Sequence, residues 1–431
     1  MILSVTAIGP NYNSLPQANK DFFNSFYYRA TKEIQQNTIL NRATIELLGA
    51  DLPTAATELI GRNWKSSVEA FTRITMYLVT SFFVPLLFIP FLNKLAVSKF
   101  ELPKNFQKLF HNQFEDLIPE KNTPDENKKF VGKIVGFEGE AKTKECFGDE
   151  GSKDYDQKVF KFKGKLLKAK SHVMKQDILY SGLLTYTVPW IQVWLSKKFL
   201  GVVGFTGEDT YLNESQKEES VQLHEKTKYL KFALGLLPTI FGSNWYSSKV
   251  SKAASSTDSE IKESKFLSFI KKHIKQFDYY KSIYANKLNL AGTFLFGGDA
   301  GFILTSRSLN EFIERCLRLA VFWPTMFYGV EWVDSKLAQR SDKQSGTSLV
   351  DNSEPREFGI PKVKSLDKLE KELAIAQENS NQSDIEKILK SIKSQAKQYW
   401  TSILLDSLVM GVGLTSANII GTKIRVEKGI Y

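Results

Sequence analysis

Histidine and cysteine are scarce in this chain of 431 residues, with four of the first and two of the second. Cys146 lies in a charged stretch and Cys316 beside an apolar one, so the sequence offers neither a disulfide framework nor a thiolate cluster. His111, His172, His224 and His273 are scattered, and none stands at ligand spacing from another histidine, a cysteine or an acid. The phosphate-binding Gly-Lys-Ser/Thr loop, the Gly-x-Ser-x-Gly elbow and the His-Glu-x-x-His pair are all missing. Glycines cluster near Gly297, but they follow no strand of a crossover unit and make no dinucleotide fingerprint. No catalytic, metal or cofactor site can be assigned from motifs, and nothing recommends an enzyme. Residues Met1 to Lys20 also lack a basic leader, a secretory apolar run and an Arg-rich transit pattern, so insertion into a membrane would rely on an internal segment.

Long apolar runs are present. Residues 74–93 carry no charge and are packed with Leu, Ile, Val and Phe. That is about the 20 residues a helix needs to cross a bilayer core. Weaker apolar segments follow at 178–196, 232–248, 288–306, 317–333 and 398–422, with the charges gathered between them. This segregation reconciles a slightly negative mean hydropathy, -0.24, with membrane insertion. Tyr246, Trp332, Tyr399 and Trp400 stand at segment ends, where an interfacial aromatic belt would place them. The expected fold is therefore all-α, a multi-pass helical membrane protein of about six apolar segments with large polar loops. A soluble helical protein with several buried helices is the competing expectation.

The pattern divides the chain into an N-terminal amphipathic region (1–70), a first span (71–97), a basic loop or small subdomain (98–177), second and third spans (178–248) and a basic loop (249–287). Fourth and fifth segments, the fifth spanning or re-entrant, occupy 288–333; a polar loop with a helical hairpin fills 334–397, and a last span with a short tail closes the chain at 398–431. In the first region Phe22, Phe23, Phe26, Tyr27, Ala30 and Ile34 recur at helical spacing, and Asp51 with Pro53 reads as a helix start after Gly49. Within the basic loop, 130–141 and 158–170 alternate partly and read as short strands. The hairpin at 365–394 carries two narrow stripes, Leu366, Leu369, Leu373 and Ala376, then Ile385, Ile388, Leu389 and Ile392. Such stripes serve an internal core or a protein partner.

The formal net charge is +11 and is carried largely by lysine. Blocks at Lys161, Lys163, Lys165, Lys168 and Lys170, and at Lys271, Lys272 and Lys275, lie near apolar segments, so anionic lipid is their expected partner. No nucleic-acid motif accompanies them.

Proline stands within four segments, at Pro85 and Pro90, Pro189, Pro238 and Pro324, each a candidate kink. Asp299 sits near the centre of the fourth segment among Gly292, Gly297, Gly298 and Gly301; it reads equally as a buried intramembrane acid or as part of a turn in water. Asp406 is the second acid in an apolar segment. The leading functional expectation is a non-enzymatic membrane scaffold or assembly component. The alternative is a secondary transporter or channel using Asp299 and Asp406.

Overall fold

The computed structural model describes residues 9–80, 84–103, 106, 109, 112–118, 122–134, 140–152, 154–257, 264–278, 287–354, 356 and 359–430. The chain is all-α, as expected; the sheet among the described residues is a single two-stranded ladder, Val350–Asp351 against Lys362–Val363. It forms two compact units. The first comprises Met1–Phe71 and Leu317–Ile424, the second Thr72–Cys316 and Arg425–Tyr431.

In the first unit the hairpin is real, with helices Leu366–Glu378 and Gln382–Ser407. Its two stripes face each other and close a core with Leu15, Phe23, Tyr28, Ala338 and Leu349. The N-terminal helices are tied down by one acid. Glu370 accepts from the hydroxyls of Tyr12 (2.9 Å) and Tyr28 (2.5 Å) and pairs with the Lys32 ammonium at 2.5 Å. Glu370→Ala would strand two hydroxyls and an ammonium against an apolar core, so a loss of about 2–4 kcal/mol is expected. The check is urea unfolding followed by tryptophan emission, since Trp400 donates to Thr31 in the same unit.

Two expectations for this region are corrected. The amphipathic helix is two helices, Gln17–Asn24 and Phe26–Gln36, because Ser25 donates to the Phe22 carbonyl and accepts from the Tyr28 amide, ending one and capping the next. The break resets the face: Phe23, Tyr28 and Thr31 are buried while Phe26 and Tyr27 face outward. Asp51 does not cap the Leu52–Gly61 helix, because the backbone stays helical through a π-helical turn, Ile45–Asp51.

The second unit is built on two long helices, Tyr155–Leu195 and Glu214–Ser255, with Lys287–Phe296 and Gly298–Leu304 packed on them. An Asn213–Gln216 capping box starts the second of the long pair. The expected strands are helices instead: Pro124–Lys133, and the first turns of Tyr155–Leu195. Val159, Phe162, Leu166, Leu167, Val173 and Met174 are buried at helical spacing, which overrides the short alternation of lysine and phenylalanine. Residues 135–139 of the other expected strand lie outside the described residues.

Within the lysine block, Lys161, Lys165 and Lys168 are exposed, whereas Lys163 and Lys170 are internal. Lys170 binds the Asp278 carboxylate and the Asn112 carbonyl beneath the Phe114 ring, and the other Asp278 oxygen accepts from the Phe114 amide at 2.8 Å. This pair fastens the connecting stretches to the long helix.

The candidate kinks sit inside continuous elements. Pro189 and Pro238 lie within the two long helices, Pro85 and Pro90 within Val84–Lys99, and Pro324 closes Leu309–Pro324 before a π-helical turn, Thr325–Gly329. Thr239 and Thr325 follow their prolines directly and donate to the carbonyls of Gly235 and Val321, three residues before each proline. A side-chain hydroxyl thus supports the turn that proline weakens.

The longest uncharged run, 74–93, contains residues 81–83, which lie outside the described residues. Among the described residues one helical stretch, Gln382–Glu427, is long and apolar enough to cross a membrane, and only 39% of its most apolar window is buried.

Side-chain partition along the apolar helices runs hydroxyl-inward and leucine-outward. On Glu214–Ser255, Thr239, Ser243 and Ser247 are 0% exposed, while Leu230, Leu234, Leu237, Phe241 and Trp245 face outward, Phe241 at 68%. On Gln382–Glu427, Ser402, Thr415, Asn418 and Thr422 are buried, and Leu404, Leu408, Val409, Val412, Ile420 and Ile424 are exposed.

Candidate functional site

Asp406 is held at a junction of three π-helical turns. Each such turn adds a residue to the helical repeat, turning backbone and side chains out of register, and such turns recur at functional sites. Ile45–Asp51 contributes Gly49, where a β-carbon would stand 2.7 Å from an Asp406 carboxylate oxygen; Thr325–Gly329 contributes Gly329, where it would stand 3.7 Å from the other. The third turn, Leu408–Leu414, begins two residues after Asp406, and its Gly411 lies against Pro53. Asp406 is 5% exposed, and its Oδ1 has no hydrogen-bond partner. Gly49 is what makes room for it, since the 3.7 Å at Gly329 is ordinary contact.

Further along the first π-helical turn, burial and then the neighbouring Asp51 carboxylate push Glu46 well above the usual carboxylate range, against the pull of Arg42. Neither Glu46 nor Asp51 was legible as a partner of this region, because Glu46 carries no signal of its own and Asp51 reads as a helix start beside Pro53.

Asp299 belongs to the second unit and Asp406 to the first. The chain breaks at Gly297 as a turn reading expects, but the acid does not stand in water: Asp299 is buried, in the first turn of Gly298–Leu304. The surrounding glycines permit close backbone approach. At Gly297 a β-carbon would meet the Gly182 backbone, and at Gly301 it would stand 2.5 Å from the Tyr186 carbonyl oxygen.

Buried polar groups of the second unit also escaped the sequence reading. Asp177 precedes an apolar segment, where an acid reads as a headgroup contact, yet it is buried. Glu311 joins Arg307 and Arg315 in an ion-pair network with bonds of 2.9 Å and 2.5 Å to their terminal nitrogens. Burial alone would raise Glu311, but the two guanidinium groups overcome it and hold the carboxyl well below its usual range. Arg315 also donates to the Phe302 carbonyl, closing the end of the Gly298–Leu304 helix.

Glu208 and His224 border this network. Burial raises Glu208 to about 6, although Asn310 donates to it at 2.6 Å; its second oxygen is unpartnered. Burial, then Lys231 and Arg307, lowers His224 to about 4. These shifts have opposite signs in stability. A depressed histidine is neutral in the fold and takes up a proton on unfolding, so stability worth about 3 kcal/mol is lost as pH falls from about 6.5 towards 4. A raised acid is protonated in the fold, so about 2 kcal/mol is lost as pH rises from about 4.5 through 6. Relative to the unsubstituted chain, Glu208→Gln should steepen the gain in thermal midpoint between pH 4 and 6.5, and His224→Asn should reverse it. Parallel profiles for all three proteins would contradict the assignment.

Among the described residues no three His, Cys, Asp or Glu side chains lie close enough to hold a metal ion. No family model, curated protein or solved structure matches the chain.

Proposed function

We propose that the chain is a multi-pass integral membrane protein acting as a non-enzymatic scaffold or assembly component. The observation that carries the membrane reading is the outward leucine and inward hydroxyl partition in both units. In water each exposed Leu or Phe forgoes about 1.5–3 kcal/mol of burial, while every buried hydroxyl must find a partner. In hydrocarbon the same partition is the favourable one, because lipid solvates the leucines while inward hydroxyls such as those of Thr239 and Ser247 bond to helix carbonyls. From Leu230 to Trp245 the outward stripe rises about 22 Å, most of a bilayer core.

The scaffold reading rests on the first unit. Gln382–Ser407 leaves the packed hairpin core and runs through Leu408–Leu414 into Thr415–Glu427 without a linker. A folded head is thereby fixed to an apolar span, as a protein that presents a surface at a membrane requires. The outer face of the 365–394 hairpin, with Ile375 exposed, is the proposed protein contact, and exposed Lys161, Lys165 and Lys168 are the proposed contacts to anionic lipid. Single cysteines at Leu237 and Ser243, labelled with a fluorophore in liposomes, test the membrane reading. Acyl-chain nitroxides should quench the first and spare the second. Quenching of Leu237 by aqueous iodide instead would overturn it.

A second reading, a proton-coupled carrier, is favoured by one observation, the buried Asp406 carboxylate, whose Oδ1 is unpartnered and which is fitted against Gly49. Under it Asp406→Asn should abolish proton flux in liposomes at unchanged protein level. Under the scaffold reading the same variant changes no flux and slightly raises the thermal midpoint, because an uncompensated buried acid is removed.

A further inference from the structure

We propose that the second unit holds a binding site for a hydrophobic organic ammonium ion, with Asp177 as its counter-charge. On the Tyr155–Leu195 helix, Asp177, Tyr180, Ser181 and Leu184 share one face by their spacing. With Val84 and Phe88 of the Val84–Lys99 helix they line a cavity of about 300 Å³. This lies at the small end of ligand pockets, suiting an aryl-alkyl amine and too small for a peptide.

Asp177 is 1% exposed; Ser181 donates to its Oδ1 over a long 3.4 Å, and its Oδ2 has no partner. Glu208 also leaves one oxygen unpartnered, but its other oxygen takes a 2.6 Å bond from Asn310; two further deeply buried acids of this unit differ altogether. Asp278 and Glu311 have both oxygens bonded, to Lys170 and the Phe114 amide and to two arginines respectively. Buried carboxylates that only support a fold are satisfied in this way, and a missing partner calls for an explanation.

The lining decides what the partner is. None of the described residues around the cavity is cationic, and the Thr187 hydroxyl is committed to the Leu184 carbonyl at 2.7 Å. Phe88 and Tyr180 stack at 6.5 Å and 20°, offering aromatic surface to a cation beside the acid. A metal ion would need several oxygen ligands, and this wall offers chiefly one carboxylate. An ammonium ion needs one hydrogen-bonded charge partner, with Val84, Leu183 and Leu184 left to cover an apolar body. The assignment depends on geometry inside one unit and holds in either solvent.

The test is calorimetric titration of the purified full chain in non-ionic detergent, using 2-phenylethylammonium and its neutral isostere 2-phenylethanol. The ammonium should bind at least about ten-fold more tightly, the worth of one modest charge contact. Asp177→Asn should reduce ammonium affinity to that of the alcohol, and Leu184→Trp, filling the cavity, should weaken both. Equal affinity for the two probes, binding of neither, or unchanged ammonium affinity in Asp177→Asn would overturn the proposal. The comparison of probes on the unsubstituted protein decides it even if a variant does not fold.

Discussion

Gly301→Ala should unfold the second unit at a temperature well below that of the unsubstituted protein, whereas Gly164→Ala should raise its midpoint. Both glycines lie in helices, and in helix interiors alanine is ordinarily preferred by about 1 kcal/mol. What separates them is the neighbouring surface. Around Gly164 nothing lies within 4 Å of an added β-carbon, so only the propensity gain is felt. At Gly301 the carbon would stand 2.5 Å from the Tyr186 carbonyl oxygen and 3.1 Å from its α-carbon, and at Gly297 it would meet the Gly182 backbone. Backbone has no rotamer by which to retreat. The Gly298–Leu304 helix must instead move off Tyr155–Leu195, opening the interface it shares with buried Asp299, at a cost of about 3 kcal/mol or more. Gly292→Ala gives an intermediate case, since the obstacle there is the Tyr246 ring, held by its hydroxyl to the Leu288 carbonyl at 2.9 Å. The expected order of midpoints is Gly164→Ala highest, then the unsubstituted chain, Gly292→Ala and Gly301→Ala. Equal midpoints for Gly164→Ala and Gly301→Ala would refute the close packing.

The glycines around Asp299 carried this legibly in the sequence, since small residues at close spacing signal either a break or an approach, and here they serve both. Helical content and the hairpin were legible for the same reason: the stripes beginning at Leu366 and at Ile385 run long enough to fix a period. The stretch 158–170 misled because the alternation Val159, Phe160, Lys161, Phe162 covers too few residues to separate a period of 2.0 from one of 3.6. Helical spacing becomes plain only when Leu166, Val173 and Met174 are added. Partners distant in sequence were not legible at all. Lys170 reads as one more surface lysine until Asp278 is set beside it, and Glu370 reads as a solvated hairpin acid until Tyr12 and Tyr28 arrive from the other end of the chain. The π-helical turns were likewise invisible, because they leave no residue signature; the sequence offered only Gly49, Gly329 and Gly411, which it shares with ordinary helix packing. Asp177 was hidden by position, one residue before an apolar run.

Lysine at Leu234, Leu237 and Phe241 together should prevent stable insertion and leave the chain recoverable by carbonate. All three side chains are more than half exposed on Glu214–Ser255, so lysine there breaks no packed core. If their surroundings were water, each change would lie within about 0.5 kcal/mol, and helix propensity would hardly alter, since lysine and leucine are close on that scale. Hydrocarbon makes the same changes severe, at about 2.5–3.5 kcal/mol for a lysine near the centre of a span. Snorkelling relieves a lysine near either end of the helix but not three successive positions on one stripe. The two solvents therefore differ by about 7 kcal/mol or more for one triple variant, well beyond the margin by which most folds are held. Carbonate-washed membranes should retain the unsubstituted chain and lose the triple-lysine variant. A triple-lysine chain that stays folded, is expressed at the same level and becomes more soluble would mean that water bathes this face. The leucine stripe would then mark a contact with another protein, and the buried hydroxyls of Thr239 and Ser247 would be local helix satisfaction, bonding back to the carbonyls of Gly235 and Ser243.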